Sequence, residues 1–208
     1  MAMFLNTPLP YKRYKKISET TYFVDKSPIL NDIFGCMEEE TQYICITRPR
    51  RFGKTIMANM LGAFFGKAWD ASQIFDHLKI ADSPEYHQYL NQYDTIFLNM
   101  QEFLSQSKDI YDMLQLLKKS VLWDLLEEYP DYRYFDETNL TRTMSDVYRN
   151  TKCPFVIIID EWDCIFREYK SDKEAQEQYL DFLRDFLKDK SYIHLAYMTG
   201  ILPVKKYG

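Results

Sequence analysis

The feature that most constrains the fold of this chain is the run of residues 47–55, which reads TRPRRFGKT. An apolar, strand-like segment (43–46) precedes it and a helix-like segment follows, which is the context of a phosphate-binding loop. At a helix N-terminus, backbone N–H groups and the helix dipole favour an anion, and the Lys54 ammonium can reach terminal phosphates. The Thr55 hydroxyl is then placed to hold Mg²⁺. The run therefore predicts a strand, a phosphate-binding loop and a helix, in that order.

The loop departs from the usual pattern G-x-x-x-x-G-K-[ST], because Arg48 stands where the first glycine belongs. If that position required a positive φ, a side chain there would cost about 1–2 kcal/mol. Two interpretations stay open: the loop opens with different backbone angles set by Pro49, or the site is degraded. The tripeptide 53–55 alone is a weak signal, since an ordinary basic turn before a helix also fits it.

A second, acidic motif supports the first. Residues 155–159 form a short apolar run, and Asp160 and Glu161 follow it directly. At the carboxyl end of a parallel strand, Asp160 would face the same crevice as the loop and could hold Mg²⁺, as a Walker B aspartate does. Glu161 would orient and deprotonate the attacking water. Seen alone, the motif also fits a strand exit with a helix N-cap, but the two motifs together favour a Mg-nucleotide site.

Short apolar segments alternate with helical patterns, which predicts a doubly wound α/β fold with a mainly parallel sheet flanked by helices. The strand candidates are 43–46, 95–99, 155–159 and 193–198. The main helix candidates are 26–37, 54–65, 84–90, 109–128, 140–149 and 174–188. We expect a single domain over residues 1–208, with an N-terminal arm and helix in 1–40 and the nucleotide-binding core in 41–208. The basic residues within 12–16 are expected in the solvated arm.

Composition argues against several other classes. No apolar run approaches the roughly 18 residues needed to cross a membrane, and the N-terminus lacks the apolar stretch of a signal peptide. We therefore expect a cytoplasmic protein with no membrane partner. The four cysteines and three histidines show no metal-site or disulfide spacing. A net charge of −5 weakly disfavours a stand-alone nucleic-acid binder.

A third motif, Thr199 followed by Gly200, ends the fourth strand candidate. Thr199 would lie beside the γ-phosphate and could distinguish ATP from ADP through a hydrogen bond. A polar strand cap followed by a turn glycine is the alternative, and the sequence leaves both open.

Four motifs together resemble those of the predicted AAA-ATPase-like family of bacteria. They are FVDK at 23–26, RPRRFGKT at 48–55, IDEWD at 159–163 and TGILP at 199–203. That family carries arginine in place of the first loop glycine, so Arg48 does not by itself indicate decay. The resemblance also suggests that 23–26 lies near the nucleotide base, although Phe23 and Tyr22 could equally be core residues.

The resemblance implies a P-loop NTPase of the ASCE type, in which an extra strand lies between the Walker A and Walker B strands. We assign that strand to 95–99. The implied ligands are ATP and Mg²⁺, with Lys54 and Glu161 catalytic and with Thr55 and Asp160 as the Mg²⁺ ligands. The predicted nucleotide-binding residues are Arg50, Arg51, Phe52, Gly53, Lys54, Thr55, Ile56 and Thr199.

The family continues with a fifth strand, a helical lid and commonly a nuclease-like domain, so we expect this chain to lack its C-terminal strand and lid. A nucleic-acid or protein partner would act through that missing region, and the oligomeric state is not predicted. The leading hypothesis is Mg-dependent ATP binding with slow hydrolysis. The alternatives are a nucleotide-binding switch with negligible hydrolysis and an interaction fragment without a competent site.

Overall fold

The computed structural model describes residues 2–39 and 41–202, so Pro203 of the last motif lies outside the described residues. Its strands form one parallel sheet: β1 (Tyr43–Thr47), β2 (Asp94–Asn99), β3 (Phe155–Asp160) and β4 (Ile193–Gly200). Their order across the sheet is β1-β4-β3-β2. The predicted strands are therefore present, and each lies within two residues of its predicted bounds.

Helices connect the strands and cover the sheet. They are α1 (Leu9–Ser18), α2 (Ile29–Glu38), α3 (Lys54–Phe65), α4 (Ser72–Phe75), α5 (Tyr86–Tyr89), α6 (Met100–Ser105), α7 (Ile110–Glu128), α8 (Leu140–Thr151), α9 (Cys164–Glu168) and α10 (Lys173–Leu187). A 3₁₀ helix, Lys79–Asp82, lies between α4 and α5. Among the helices that the structure describes, none has the length and apolar character needed to cross a bilayer.

The core has two halves because successive side chains of a strand point to opposite faces of the sheet. Ile157 and Ile159 of β3 pack with residues of α6 to α10. Val156 and Ile158 pack with residues of α1 to α5. Burial on both faces explains why the strands are continuously apolar rather than alternating. The predicted α/β fold, a parallel sheet flanked by helices, is confirmed.

The expectation of an arm at residues 12–16 is wrong, because this segment lies within α1, whereas the basic side chains in it are largely exposed as expected. Tyr14 is buried there and stacks on Phe75 with ring centroids 5.4 Å apart. Pro10 also packs closely on α3, where a Cβ at Gly62 would lie 2.8 Å from the proline Cβ. The basic side chains stay at the surface, while the aromatic residue between them anchors the helix.

The assignment of 95–99 as the strand between the two motif strands is also wrong. The strand between β1 and β3 is β4, whereas β2 lies at the edge of the sheet and pairs with β3. Chain order does not fix lateral order, since a parallel crossover can pass over a strand position that a later strand fills. The consequence for the site is that β1, β4 and β3 present their carboxyl ends side by side.

Candidate functional site

The loop of residues 48–53 joins β1 to α3 at the carboxyl end of the sheet. Positive φ angles occur at Arg51 (67°) and Gly53 (78°), and not at Arg48. The backbone N–H of Arg48 donates to the carbonyl of Gly200 over 3.1 Å, which ties the start of the loop to the end of β4. Arginine at the first-glycine position is therefore compatible with this loop, which opens with different backbone angles from the ones that require glycine.

Lys54 begins α3 and is buried, with 7% of its surface exposed. Its Nζ donates to the backbone carbonyls of Arg48 and Pro49 over 2.9 and 3.0 Å. The ammonium thus lies inside the loop and has polar partners there. The cleft next to it has a volume of about 330 Å³ and is lined by Arg50, Arg51, Gly53, Lys54, Thr55, Ile56 and Glu161.

Asp160, the last residue of β3, is 1% exposed and accepts hydrogen bonds from neutral donors. The Thr55 hydroxyl donates to Oδ2 over 2.8 Å, the Thr199 hydroxyl donates to Oδ1, and the Glu161 N–H donates to Oδ1 over 3.1 Å. Across residues 2–39 and 41–202, no cationic nitrogen lies within 4.0 Å of this carboxylate. A buried carboxylate without a counter-charge is costly. The arrangement therefore suits a cation.

The oxygen donors at this point fit Mg²⁺. This ion prefers oxygen ligands and usually takes one or two protein groups together with waters and phosphate oxygens. The Thr55 hydroxyl and the Asp160 carboxylate are in contact and supply such a pair. In the described part of the chain, no group of three or more His, Cys, Asp or Glu side chains is arranged to hold a metal.

Glu161 lines the cleft, and its carboxylate forms an ion pair with Arg167 of α9. The Glu161 backbone is left-handed, with φ of 56°. Sequence reasoning missed Arg167. A signal was available, since Asp163 and Arg167 are spaced as neighbours on a helix, but no helix was predicted there.

The structure brings Thr199 to Asp160 and explains Gly200. Thr199 is fully buried and lies next in the sheet to the end of β3. A Cβ at Gly200 would lie 2.6 Å from Nε1 of Trp162 and 2.9 Å from the Cγ of Asp163. Glycine is needed there for this close approach rather than for a turn.

A second cavity, of about 370 Å³ and mostly apolar, adjoins the loop. It is lined by Tyr14, Ile17, Thr20, Tyr22, Phe23, Val24, Lys26, Gly53, Ile56, Met57 and Met60. Asp25 holds the 23–26 motif in place by accepting the N–H groups of Ser27 and Lys79 over 2.8 and 2.9 Å. Burial acts to raise the pKa of Asp25, but these hydrogen bonds outweigh it and lower that pKa. The motif is thus anchored by Asp25 and opens Phe23 and Lys26 to the cavity.

The predicted nucleotide-binding residues differ in exposure. Ile56 is 42% exposed and lines both cavities. Phe52 is 65% exposed, beside the cleft-lining Arg51 and Gly53 in the loop. Tyr22, considered a core candidate from the sequence, is 93% exposed.

Two thiols near the site are protonated at neutral pH. Burial raises the pKa of Cys164 to about 12. Burial, together with the charge of Asp163, raises the pKa of Cys45 to about 11. Since the thiolate is the reactive form of cysteine, the raised pKa values disfavour a nucleophilic role for either thiol.

Comparison with known proteins identifies the family of this chain. The family model described as Predicted AAA-ATPase matches residues 8–208, a range that contains the loop, the acidic motif and Thr199. No curated protein matches the chain. The chain belongs to the predicted AAA-ATPase family.

Proposed function

We propose that this chain binds Mg-ATP in the cleft at the carboxyl ends of β1, β4 and β3 and hydrolyses its terminal phosphate. The observation that carries the proposal is the buried carboxylate of Asp160, which accepts the hydroxyls of Thr55 and Thr199 and has no counter-charge among the described residues. A divalent cation with a polyphosphate would supply that charge. Membership of the predicted AAA-ATPase family supports the same ligand.

The loop and the N-terminus of α3 bind the phosphates in this proposal. Backbone N–H groups and the helix dipole favour an anion there. Lys54 exchanges the carbonyls of Arg48 and Pro49 for phosphate oxygens, and Arg50 and Arg51 add positive charge at the cleft. When bound to Thr55 and Asp160, Mg²⁺ supplies charge that stabilises the developing negative charge on the phosphate oxygens.

Glu161 is the proposed general base. It accepts a proton from the attacking water as the new P–O bond forms and the ADP oxygen leaves. Thr199 has the proposed role of detecting the terminal phosphate, for which its one hydroxyl proton moves from Asp160, where it is donated in this structure, to a phosphate oxygen.

The apolar cavity is the proposed site of the nucleotide base. Ile56 and Gly53 line both cavities, so a single nucleotide can extend from the phosphate cleft into it. Phe23 supplies an aromatic ring and Met57 and Met60 supply polarizable side chains for contact with a flat base. Among the described residues that line it there is no carboxylate to read the N–H groups of guanine, which favours adenine.

We also assign the fold to the ASCE type of P-loop NTPases. The support is the strand order β1-β4-β3-β2, in which β4 separates the loop strand from the acidic strand. The presence of Glu161 directly after Asp160 is the second support.

Thermal unfolding with and without Mg-ATP tests binding. A ligand at 100 times its Kd adds about 2.7 kcal/mol to the free energy of unfolding, and we expect this gain in the wild type and not in Lys54→Ala. Lys188→Ala, at an exposed lysine, is the matched control and should keep the gain. A cooperative transition that Mg-ATP does not shift would contradict the proposal.

Phosphate release separates an ATPase from a switch. Glu161→Gln should reduce turnover to a small but measurable residual rate and keep the Mg-ATP stabilisation. If wild-type turnover is no greater than that of Glu161→Gln, while both still bind Mg-ATP, the nucleotide-binding switch replaces the ATPase.

A further inference from the structure

We propose that Arg167 is a positioning residue, which orients Glu161 and couples it through Asp163 to the chain that leaves β4. This inference rests on the proposed function, because it requires Glu161 to act on the attacking water.

Arg167 lies between two carboxylates. One terminal nitrogen pairs with Oε2 of Glu161, and Nε lies 3.6 Å from Oδ1 of Asp163. The exposed fractions of the three side chains are 15% for Arg167, 25% for Glu161 and 0% for Asp163. Salt therefore screens these pairs less than it screens exposed ones. A planar guanidinium can face two carboxylates at once, which an ammonium does less well.

Asp163 connects this pair to the end of β4. Its Oδ2 accepts the backbone N–H groups of Ile201 and Leu202 over 2.8 and 2.7 Å. Its Oδ1 has no hydrogen bond within the described residues and faces Arg167. Gly200 packs against the same carboxylate with no room for a Cβ. One carboxylate therefore holds the chain exit through hydrogen bonds to one oxygen and faces the arginine with the other, at ion-pair distance and without a hydrogen bond.

The sheet does not fix the orientation of the Glu161 side chain, so Arg167 is the group that can orient it. β3 ends at Asp160, and Glu161 already has a left-handed backbone. Its carboxylate contacts Arg167 through Oε2, while Oε1 accepts no hydrogen bond from the residues that the structure describes. A carboxylate held by one oxygen and open at the other is suited to orient a water. Loss of such positioning reduces rate more than binding.

The test measures kcat and the Kd for Mg-ATP separately in Arg167→Met and Arg167→Lys. Methionine keeps much of the apolar stem without the charge, and we expect kcat to fall about 10- to 100-fold, with Kd within about twofold of the wild type. Lysine keeps the charge and should give an intermediate kcat. Arg184→Met is the matched control, since that arginine forms an exposed pair with Asp181, and it should leave both constants unchanged.

A double-mutant cycle distinguishes positioning from general stabilisation. In a Glu161→Gln background, Arg167→Met should cause no further loss of turnover, because both changes disable the same carboxylate. Arg167→Met also removes the counter-charge from buried Asp163, which can destabilise the fold. The melting temperature of the Arg167→Met variant is therefore measured as well. If it does not fold, Arg167→Lys with the same cycle decides the question.

Two results overturn the inference alone: a kcat for the Arg167 variants within twofold of, or above, the wild type, or a further loss in the Glu161→Gln background. Both would leave the proposed function intact. A wild-type turnover no higher than that of Lys54→Ala would overturn the proposed function, and the inference with it.

Discussion

Asp94 and Asp160 are both buried aspartates, and they lie at opposite ends of the sheet. Asp94, the first residue of β2, accepts hydrogen bonds from Nζ of Lys67 (2.8 Å), the hydroxyl of Tyr129 (2.5 Å) and Nδ2 of Asn6 (2.6 Å). Asp160, the last residue of β3, accepts only from hydroxyl and amide donors of the described chain. One carboxylate has its own cation, and the other does not.

The difference shows how a buried carboxylate with a structural partner can be distinguished, within one fold, from a buried carboxylate that is available to a ligand. A buried charge that is paired and hydrogen-bonded holds neighbouring segments together, and breaking the pair is destabilising. A buried charge with neutral partners lowers stability until a ligand supplies the missing charge. Burial, and then the charge of Asp94, raises the pKa of Tyr129, so its hydroxyl remains a donor to the structural aspartate.

The largest expected effect is on the free energy of unfolding when Asp94, the aspartate with a cationic partner, is changed. Asp94→Asn leaves Lys67 without its partner and should lower the free energy of unfolding by about 3 kcal/mol, the low end for a broken buried pair because Lys67 is 36% exposed. Urea denaturation measures this change. Asp181→Asn, in an exposed pair, is the control and should cost less than about 0.5 kcal/mol. Equal losses of unfolding free energy in Asp94→Asn and Asp181→Asn would contradict the structural role assigned to the buried pair.

Asp160→Asn should behave in the opposite way. It removes a buried charge that has no cation, so the free energy of unfolding without ligand should be unchanged or higher. The stabilisation by Mg-ATP, about 2.7 kcal/mol at 100 times the Kd, should disappear. Thermal unfolding with and without Mg-ATP measures both. A loss of ligand-free stability as large as that of Asp94→Asn would break the comparison.

Two left-handed residues extend the comparison to the backbone. Arg51 lies in the loop with φ of 67°, and Lys152 ends α8 with φ of 57°. Glycine relieves this conformation, so each substitution should raise the free energy of unfolding by up to about 1 kcal/mol, less the added freedom of the unfolded chain. Only Arg51→Gly should also weaken Mg-ATP binding, measured by titration. Unchanged affinity would exclude Arg51 from the phosphate site.

The smallest effect concerns pH. Burial lowers the pKa of His194, which stacks on Tyr93 with ring centroids 4.8 Å apart. The unfolded chain therefore takes up a proton at higher pH than the folded chain. The stabilisation is full above the usual pKa of 6.5 and is lost as pH falls from there towards the folded value.

Urea midpoints between about pH 7.5 and pH 5.5 measure that loss. His194→Phe keeps a ring in the stack and should flatten the profile. A profile as steep as that of the wild type would assign the pH dependence to other groups.

Local patterns predicted most of the elements. The strand candidates and α3, α7, α8 and α10 agree with the structure to within two residues, because burial on one or both faces leaves a periodic apolar pattern. Helix α1 was missed, and residues 12–16 were predicted as an arm, because a single buried aromatic among basic residues gives little periodicity. The position of 95–99 across the sheet was predicted wrongly, because the sequence of a crossover connection does not show which strand positions the connection passes over.

The site was predictable where its chemistry is contiguous in sequence. Lys54 and Thr55 follow the loop, and Asp160 and Glu161 follow a strand, so their proximity follows from parallel strands. The Arg167 pair depends on α9. The apolar cavity depends on α1, residues 22–26 and α3, which are separate in sequence and meet only in the folded chain. Asp25 illustrates the limit, since its partner at Lys79 lies far along the chain.

The two carbonyls that hold Lys54 have a consequence for ligand discrimination. A ligand that accepts hydrogen bonds from the Lys54 ammonium has to displace the two carbonyl acceptors at 2.9 and 3.0 Å. The new contacts favour binding only if they are stronger than the two that they replace. A neutral sugar offers nothing stronger than a carbonyl, whereas charged phosphate oxygens make hydrogen bonds about twice as strong as neutral ones. In the proposed function, we therefore expect the loop to act as a threshold for charge density that disfavours weakly charged ligands.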